Sequence, residues 1–156
     1  MKADYINPFI TSTSEVFKTM VGIEPERGQL YLKSDEKLPY DISGVIGLAG
    51  QASGFVVISM TERLAFKVLE NFLGEKKTEM DEDVMDAIGE ILNMIAGGAK
   101  QVFSNKGIRF KISIPNVVVG KNHMVGKQRN VQCIGMTFKV GDDVFVIEVA
   151  LEENGR

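Results

Sequence analysis

Cysteine, tryptophan and histidine are nearly missing from this 156-residue chain, which has one cysteine, one histidine and no tryptophan. The single cysteine, Cys133, excludes an internal disulfide and is typical of a protein in a reducing cytoplasm. The single histidine, His123, has no second His or Cys nearby in the sequence, and a zinc site needs several such ligands. We therefore expect a cytoplasmic protein that binds no metal itself.

Long apolar runs and an excess of basic residues are also lacking. No stretch of about 18 apolar residues occurs, and the first residues lack the apolar core of a signal peptide, so we expect no membrane span and no export. The net charge is −3 and the pI is near 5.3. A duplex-binding protein usually has a basic face. The sequence therefore predicts no nucleic-acid partner, although a small local basic patch is compatible with it.

The composition and length of the chain are those of one globular domain, and we expect this domain to cover residues 1–156. The spacing of apolar residues predicts three helices, at about 7–21, 61–73 and 81–105. Alternating and β-rich segments predict strands at 29–33, 41–48, 54–60, 108–114, 117–119, 130–140 and 144–151. Because helices and strands do not alternate one by one, we expect an α+β fold with a mainly antiparallel sheet packed with three helices.

Local signals predict where several elements begin and end. Asn7 before Pro8 is a good N-cap with proline at the first helical position. Ser59 and Thr61 are rival N-caps for the second helix. Gly141 and the two aspartates after it are typical of a tight turn between the last two strands.

The longest predicted helix combines an apolar stripe with an unusual polar row. The stripe should be buried and consists of Val84, Ala87, Ile88, Ile91, Leu92, Ile95, Ala96, Ala99, Val102 and Phe103. Asp86, Glu90, Asn93 and Gly97 step by four, three and four, so they form one row on the solvent side. Gly97 and Gly98 each cost about 0.5–1 kcal/mol relative to Ala in a helix. We infer that the small residues admit another surface, to which Glu90 and Asn93 offer a carboxylate and an amide.

The segment 86–100 reads Asp-Ala-Ile-Gly-Glu-Ile-Leu-Asn-Met-Ile-Ala-Gly-Gly-Ala-Lys. It resembles the signature helix of the CheC/CheX/FliY phosphatases of bacterial chemotaxis, whose shared element is Glu-x-x-Asn followed by small residues. Segments 5–10 and 16–20 also resemble CheX-type members, so the resemblance covers nearly the whole chain. Two-site members carry a second such pair on the first helix, but here Glu15 is followed by Lys18 at that spacing. Only one site is therefore carried over, at Glu90 and Asn93.

This resemblance implies a phosphatase that hydrolyses the aspartyl-phosphate of a CheY-like response regulator. Asn93 would orient the attacking water, and Glu90 would anchor the complex on a lysine of the regulator. Asp86, Met94 and Gly97 are the expected partner-binding residues. The Mg²⁺ would belong to the regulator, so this chain would bind no cofactor. Phosphoryl transfer needs mainly positioning and charge stabilisation, which suits an amide and a carboxylate.

The resemblance also implies a homodimer, because CheX-type members dimerise with exchanged strands. Unpaired strand edges in the C-terminal third would allow such pairing.

Two other interpretations stay open at this stage. A non-catalytic binding or scaffold module would use the same helix to dock a phosphorylated regulator without accelerating hydrolysis. An unrelated dimeric α+β domain would use Gly97 and Gly98 to pack helices, and burial of Asn93 would favour it. Met94 fits either a contact surface or the edge of the core.

Overall fold

The computed structural model describes residues 3–34, 40–120 and 132–154, which form three α-helices and seven β-strands. The helices are α1 (Asn7–Val16), α2 (Glu62–Leu73) and α3 (Glu82–Asn105). The strands are β1 (Glu26–Leu32), β2 (Ile42–Gly50), β3 (Ala52–Met60), β4 (Phe110–Ile112), β5 (Asn116–Val119), β6 (Ile134–Val140) and β7 (Asp143–Glu153). A 3-10 turn (Ala3–Ile6) precedes α1, and a π-helical turn (Phe17–Val21) follows it.

The strands form one antiparallel sheet in the order β1-β6-β7-β3-β2-β4. β5 also pairs with β2, at the start of that strand, whereas β4 pairs with its end. β2 and β3 form a tight hairpin, and β6 and β7 form another at the predicted turn. The predicted fold class, an antiparallel sheet packed with three helices, is confirmed.

Several predicted boundaries differ from the structure by a few residues. Asn7 is the first residue of α1 and not its N-cap, because the preceding 3-10 turn runs directly into the helix and places Ile6 at the N-cap position with helical backbone angles. Of the two rival caps for α2, Thr61 is used, since its hydroxyl accepts a hydrogen bond from the Leu64 amide at 3.3 Å. The Ser59 hydroxyl instead forms a hydrogen bond with the Ser43 hydroxyl across the β2–β3 hairpin.

The strand predicted at 108–114 is shorter in the structure, where β4 covers only the centre of that segment.

All three helices pack on one face of the sheet and enclose the main hydrophobic core with it. α3 crosses β2 at Gly44, where an added Cβ would lie 3.3 Å from a Leu92 methyl carbon. Gly44 therefore lets the longest helix sit low on the sheet. No helix among the described residues is both long and apolar enough to cross a membrane.

The opposite face of the sheet carries a smaller cluster of buried residues and one buried charge. The cluster consists of Phe55, Val57, Cys133 and Ala150. Next to it, Glu148 of β7 is fully buried, with its carboxylate 3.1 Å from the Lys33 ammonium and bonded by the Tyr31 hydroxyl at 2.7 Å. This face therefore places a charged pair in the interior, away from the helices.

Candidate functional site

The candidate site lies on α3, whose start is fixed by a side-chain cap. Asp81 accepts a hydrogen bond from the Val84 amide at 3.0 Å. Asp81 is itself held by the Lys77 ammonium at 2.8 Å, which lowers the pKa of the Asp81 carboxyl and keeps the cap ionised. Glu82 and Asp83 follow in the first turn, where carboxylates stabilise the positive end of the helix. The sequence therefore begins this helix at a defined residue.

The apolar stripe predicted for α3 is buried in the core, except that Val102 is only partly buried. Because this stripe is held against the sheet and the other helices, the opposite side of α3 must face outward.

The predicted row projects from that outward side. Asp86 and Glu90 are exposed, whereas Asn93 and Gly97 are partly exposed. Side chains three apart on a helix have Cβ atoms about 5–6 Å apart, so Glu90 and Asn93 are neighbours. Within the described ranges, the Asn93 amide makes no hydrogen bond and the Glu90 carboxylate makes no ion pair. Both groups are therefore available to another molecule.

The two glycines after Asn93 have different roles. An added Cβ on Gly98 would overlap with the Ser12 hydroxyl of α1, so this glycine permits helix packing. A Cβ on Gly97 would have no atom within 4 Å. The interpretation of the pair as internal packing is therefore correct for Gly98 and wrong for Gly97, which leaves open space beside Asn93.

Met94 and α1 border the row on one side. Met94 is half-buried, packs against the core and lines a groove of about 390 Å³ between α1 and α3. In the π-helical turn after α1, the position that would carry the second asparagine is Lys18, which forms an exposed ion pair with Glu24 at 3.7 Å. The structure thus brings Asp86, Glu90, Asn93 and Gly97 together, with Met94 at their edge.

The described residues include no cluster of metal ligands, and the one cysteine of the chain is buried. In residues 3–34, 40–120 and 132–154, no group of three His, Cys, Asp or Glu side chains is arranged to hold a metal ion. His123 lies outside the described residues. Burial, and secondarily Glu148, raise the pKa of the Cys133 thiol to about 12, so it stays protonated at neutral pH.

A basic cleft beyond the C-terminal end of the row was not anticipated from the sequence. Its cations are Lys100 on α3 and Arg109 and Lys111 at β4. Two sequence signals point to it in retrospect. Lys100 follows Asn93 by seven residues and so shares its side of the helix, and Arg109 and Lys111 lie on one side of a strand.

An amide and a carboxylate on the outward side of a firmly packed helix can position the groups of another molecule. An amide both donates and accepts hydrogen bonds, and a carboxylate attracts a cation.

Comparisons with known proteins identify the family of this chain. Residues 42–139, which include the whole candidate row, match the family described as chemotaxis phosphatase CheX. The CheY-P phosphatase CheX of Thermotoga maritima is 32% identical over 123 residues, which cover 78% of this chain and 79% of that protein.

Two solved structures extend the likeness to the whole fold. A CheC-like superfamily protein from Shewanella sp. PV-4 is 40% identical with a TM-score of 0.90, over 97% of this chain and 99% of that one. The CheX of a CheX–CheY–BeF₃–Mg²⁺ complex from Borrelia burgdorferi is 27% identical with a TM-score of 0.84, over 97% of this chain and 100% of that one. The chain therefore belongs to the CheX family of chemotaxis phosphatases.

Proposed function

We propose that this chain accelerates hydrolysis of the aspartyl-phosphate of a CheY-like response regulator. The observation that carries the proposal is the outward pair Glu90 and Asn93, whose polar groups have no partner within the described part of the chain. The Thermotoga relative is a CheY-P phosphatase, and the Borrelia relative is seen in a complex with CheY. Both support a regulator as the substrate, and the region 1–156 would act as one domain.

Asn93 enters the active site of the regulator and positions water. Its carbonyl oxygen accepts a hydrogen bond from the water, and its amide hydrogens donate to a phosphoryl oxygen. The water oxygen bonds to phosphorus in line with the bond to the aspartate oxygen, which breaks. Inorganic phosphate and a free aspartate carboxylate result, and the proton of the water passes to solvent or phosphate.

Glu90 anchors the complex by pairing with a lysine of the regulator. Exposure makes this carboxylate accessible, and burial of the pair in the complex would strengthen it relative to water. Asp86 and Met94 border the contact, and Gly97 admits the regulator's surface. The Mg²⁺ stays with the regulator, because the phosphoryl group supplies oxygen ligands of the kind that Mg²⁺ prefers.

The catalytic demand on the pair is modest. An acyl phosphate hydrolyses without help, so the chain has to supply only an acceleration. An acceleration of ten to a thousandfold corresponds to about 1.4–4 kcal/mol of the barrier. Correct placement of one water accounts for energies of this size.

A phosphate-release assay separates catalysis from docking. We expect catalytic amounts of the chain to accelerate phosphate loss from a phosphorylated CheY-like regulator with Mg²⁺ over many turnovers. A scaffold would bind the regulator and leave the rate unchanged or lower it. Binding without acceleration, across the regulators of the same organism, would contradict the proposal.

We further propose that the chain forms a homodimer, with or without exchange of strands. In the described part of the chain β1 pairs only with β6, and its Leu30 and Leu32 are 54% and 64% exposed. An unpaired edge with exposed leucines favours pairing with a second chain. Light scattering should give the mass of a dimer, and Leu30→Lys/Leu32→Lys should weaken it more than the control Leu73→Lys on α2. A wild-type monomer at tens of micromolar would contradict this proposal.

A further inference from the structure

A cleft of about 590 Å³ lies between the C-terminal half of α3 and the end of β2 that pairs with β4. Its lining residues are Ala49, Gly50, Gln51, Lys100, Ser104, Arg109, Phe110 and Lys111. Lys100, Arg109 and Lys111 are exposed, and none of them pairs with a carboxylate in the described structure. We call this feature the basic cleft. It gathers three cations whose charge the described part of the chain does not neutralise.

The floor of the basic cleft is held by short backbone contacts. The Gln51 amide donates to the Arg109 carbonyl at 2.8 Å, and the Arg109 amide donates to the Gln51 side-chain oxygen at 2.7 Å. The two backbone segments approach so closely that a Cβ on Gly50 would lie 2.8 Å from the Arg109 carbonyl oxygen. Two of the three cations therefore extend from backbone that is fixed to the sheet.

The basic cleft continues the candidate row. Lys100 follows Asn93 by seven residues, which places it about 10.5 Å further along the helix axis and within about 20° of the same direction. Gly97 lies between them and leaves open space. Nothing on α3 itself separates the two positions.

A protein interface of ordinary size is large enough to cover both Asn93 and Lys100. A standard interface covers about 800 Å² on each protein, and a round patch of that area has a radius of about 16 Å. This radius exceeds the distance of ~10.5 Å along the helix between Asn93 and Lys100. A regulator centred on Asn93 would therefore also cover Lys100 and reach the basic cleft.

The charges on this side of the protein divide along α3. Glu82, Asp86 and Glu90 carry negative charge toward the start of the helix, and the basic cleft carries positive charge near its end. A partner that docks here meets both signs in a fixed order. Like charges brought together in an interface cost several kcal/mol, so this order favours one orientation of the partner.

We propose that the basic cleft binds acidic side chains of the same phosphorylated regulator that Glu90 and Asn93 engage, and that it sets the orientation and association rate of the regulator. This inference rests on the proposed function. Cations that lose water under a docked partner without gaining a counter-charge weaken binding, so the part of the regulator that covers the basic cleft has to carry carboxylates. The cations attract that surface before contact and pair with its outer carboxylates after contact.

Charge reversal tests the inference. Lys100→Glu/Arg109→Glu should raise KM for the phosphorylated regulator about tenfold or more at low salt, with kcat within twofold of wild type. The association rate with the BeF₃⁻-activated regulator should fall, and so should its dependence on ionic strength. The matched control Lys67→Glu/Lys76→Glu makes the same charge change at exposed lysines on and after α2, and its KM should stay near the wild-type value.

Each result has one meaning. An active wild type whose KM is unaffected by Lys100→Glu/Arg109→Glu would overturn this inference and leave the proposed function intact. A wild type that neither binds nor dephosphorylates any regulator would overturn both. If inorganic pyrophosphate shifts the amide resonances of Arg109 and Lys111 while KM is unchanged in the variant, the basic cleft is a small-anion site and the inference is wrong. Altered oligomeric state with unchanged KM would assign the cleft to a second copy, and would also overturn it.

Discussion

Ser12 of α1 lies directly against Gly98 of α3, in the space that a side chain at position 98 would fill. The Ser12 hydroxyl donates a hydrogen bond to the Ile95 carbonyl at 2.7 Å. This hydrogen bond is buried and joins α1 to the part of α3 that carries Asn93. α1 therefore helps to hold the candidate site in place.

The first prediction concerns Gly98→Ala. Alanine favours helix by up to about 1 kcal/mol over glycine, but its methyl group would displace the Ser12 hydroxyl from its buried hydrogen bond and crowd α1. We expect the free energy of unfolding, measured in urea, to fall by about 1–2 kcal/mol. In a Ser12→Ala background the cost should shrink, since the clashing hydroxyl is gone. An equal cost in both backgrounds would show that the contact does not explain the glycine.

The second prediction concerns its neighbour, Gly97→Ala. A Cβ at this position meets no atom of the protein within 4 Å. The variant should therefore be more stable by about 0.5–1 kcal/mol. It should also dephosphorylate the regulator at least tenfold more slowly, because the methyl group occupies space that the partner needs. Full activity in this variant would mean that the open space is not used.

A third prediction is a loss of stability at alkaline pH. Burial, and then the Glu148 carboxylate, raise the pKa of Tyr31 well above the usual range, and the same two causes raise the pKa of Tyr40. An unfolded tyrosine loses its proton near pH 10, whereas folded Tyr31 keeps its proton and folded Tyr40 loses it only at a higher pH. Their contribution to stability is therefore fully present below about pH 10 and declines above it, for Tyr31 by about 1.4 kcal/mol per pH unit.

Denaturation curves between pH 8 and 11.5 check this slope. Tyr31→Phe removes one of the two groups, so the decline above about pH 10 should be less steep in that variant. An identical pH dependence in wild type and Tyr31→Phe would contradict the assignment.

The fourth prediction concerns the buried pair on the same face. The side chains of Lys33 and Glu148 are 5% and 0% exposed, and the ammonium lies 3.1 Å from an oxygen that accepts no well-directed hydrogen bond. Lys33→Met would leave a buried carboxylate without its cation, so we expect a loss of about 3–5 kcal/mol. Lys33→Met/Glu148→Gln should be more stable than Lys33→Met alone. If the single variant unfolds at the wild-type urea concentration, the pair contributes nothing.

Local sequence was enough to predict α3 and its two sides. The 3.6-residue period and the aspartates at 81 and 83 are local signals, and the structure starts the helix at Glu82 with the apolar stripe inward. Local sequence does not show which of Gly97 and Gly98 packs against another helix, because this depends on which of them α1 crosses. Only the contact of Ser12 with Gly98 separates their roles.

Features that depend on distant pairing were not predictable. Arg109 lies near Lys100 because the end of β2 pairs with β4. Gln51, which follows β2, also accepts a hydrogen bond from the amide of Arg109, the residue before β4. Glu148 lies in a strand that was correctly predicted, yet its burial depends on Tyr31 and Lys33, more than a hundred positions away. Neither arrangement follows from residues that are neighbours in sequence.

The roles of Glu90 and Asn93 stay predictions, and they differ in kinetic signature. Glu90→Ala should raise KM, since the carboxylate anchors the complex. Asn93→Ala should lower kcat, since the amide acts on the water during the reaction.

The most direct test is the rate of phosphate loss from a phosphorylated CheY-like regulator saturated with Asn93→Ala. Asn105→Ala is the matched control, because it makes the same change at an exposed position at the end of the same helix. We predict that Asn93→Ala binds the BeF₃⁻-activated regulator but leaves phosphate loss at its unaided rate, while Asn105→Ala accelerates it as wild type does. Acceleration by Asn93→Ala equal to that of wild type would contradict the account.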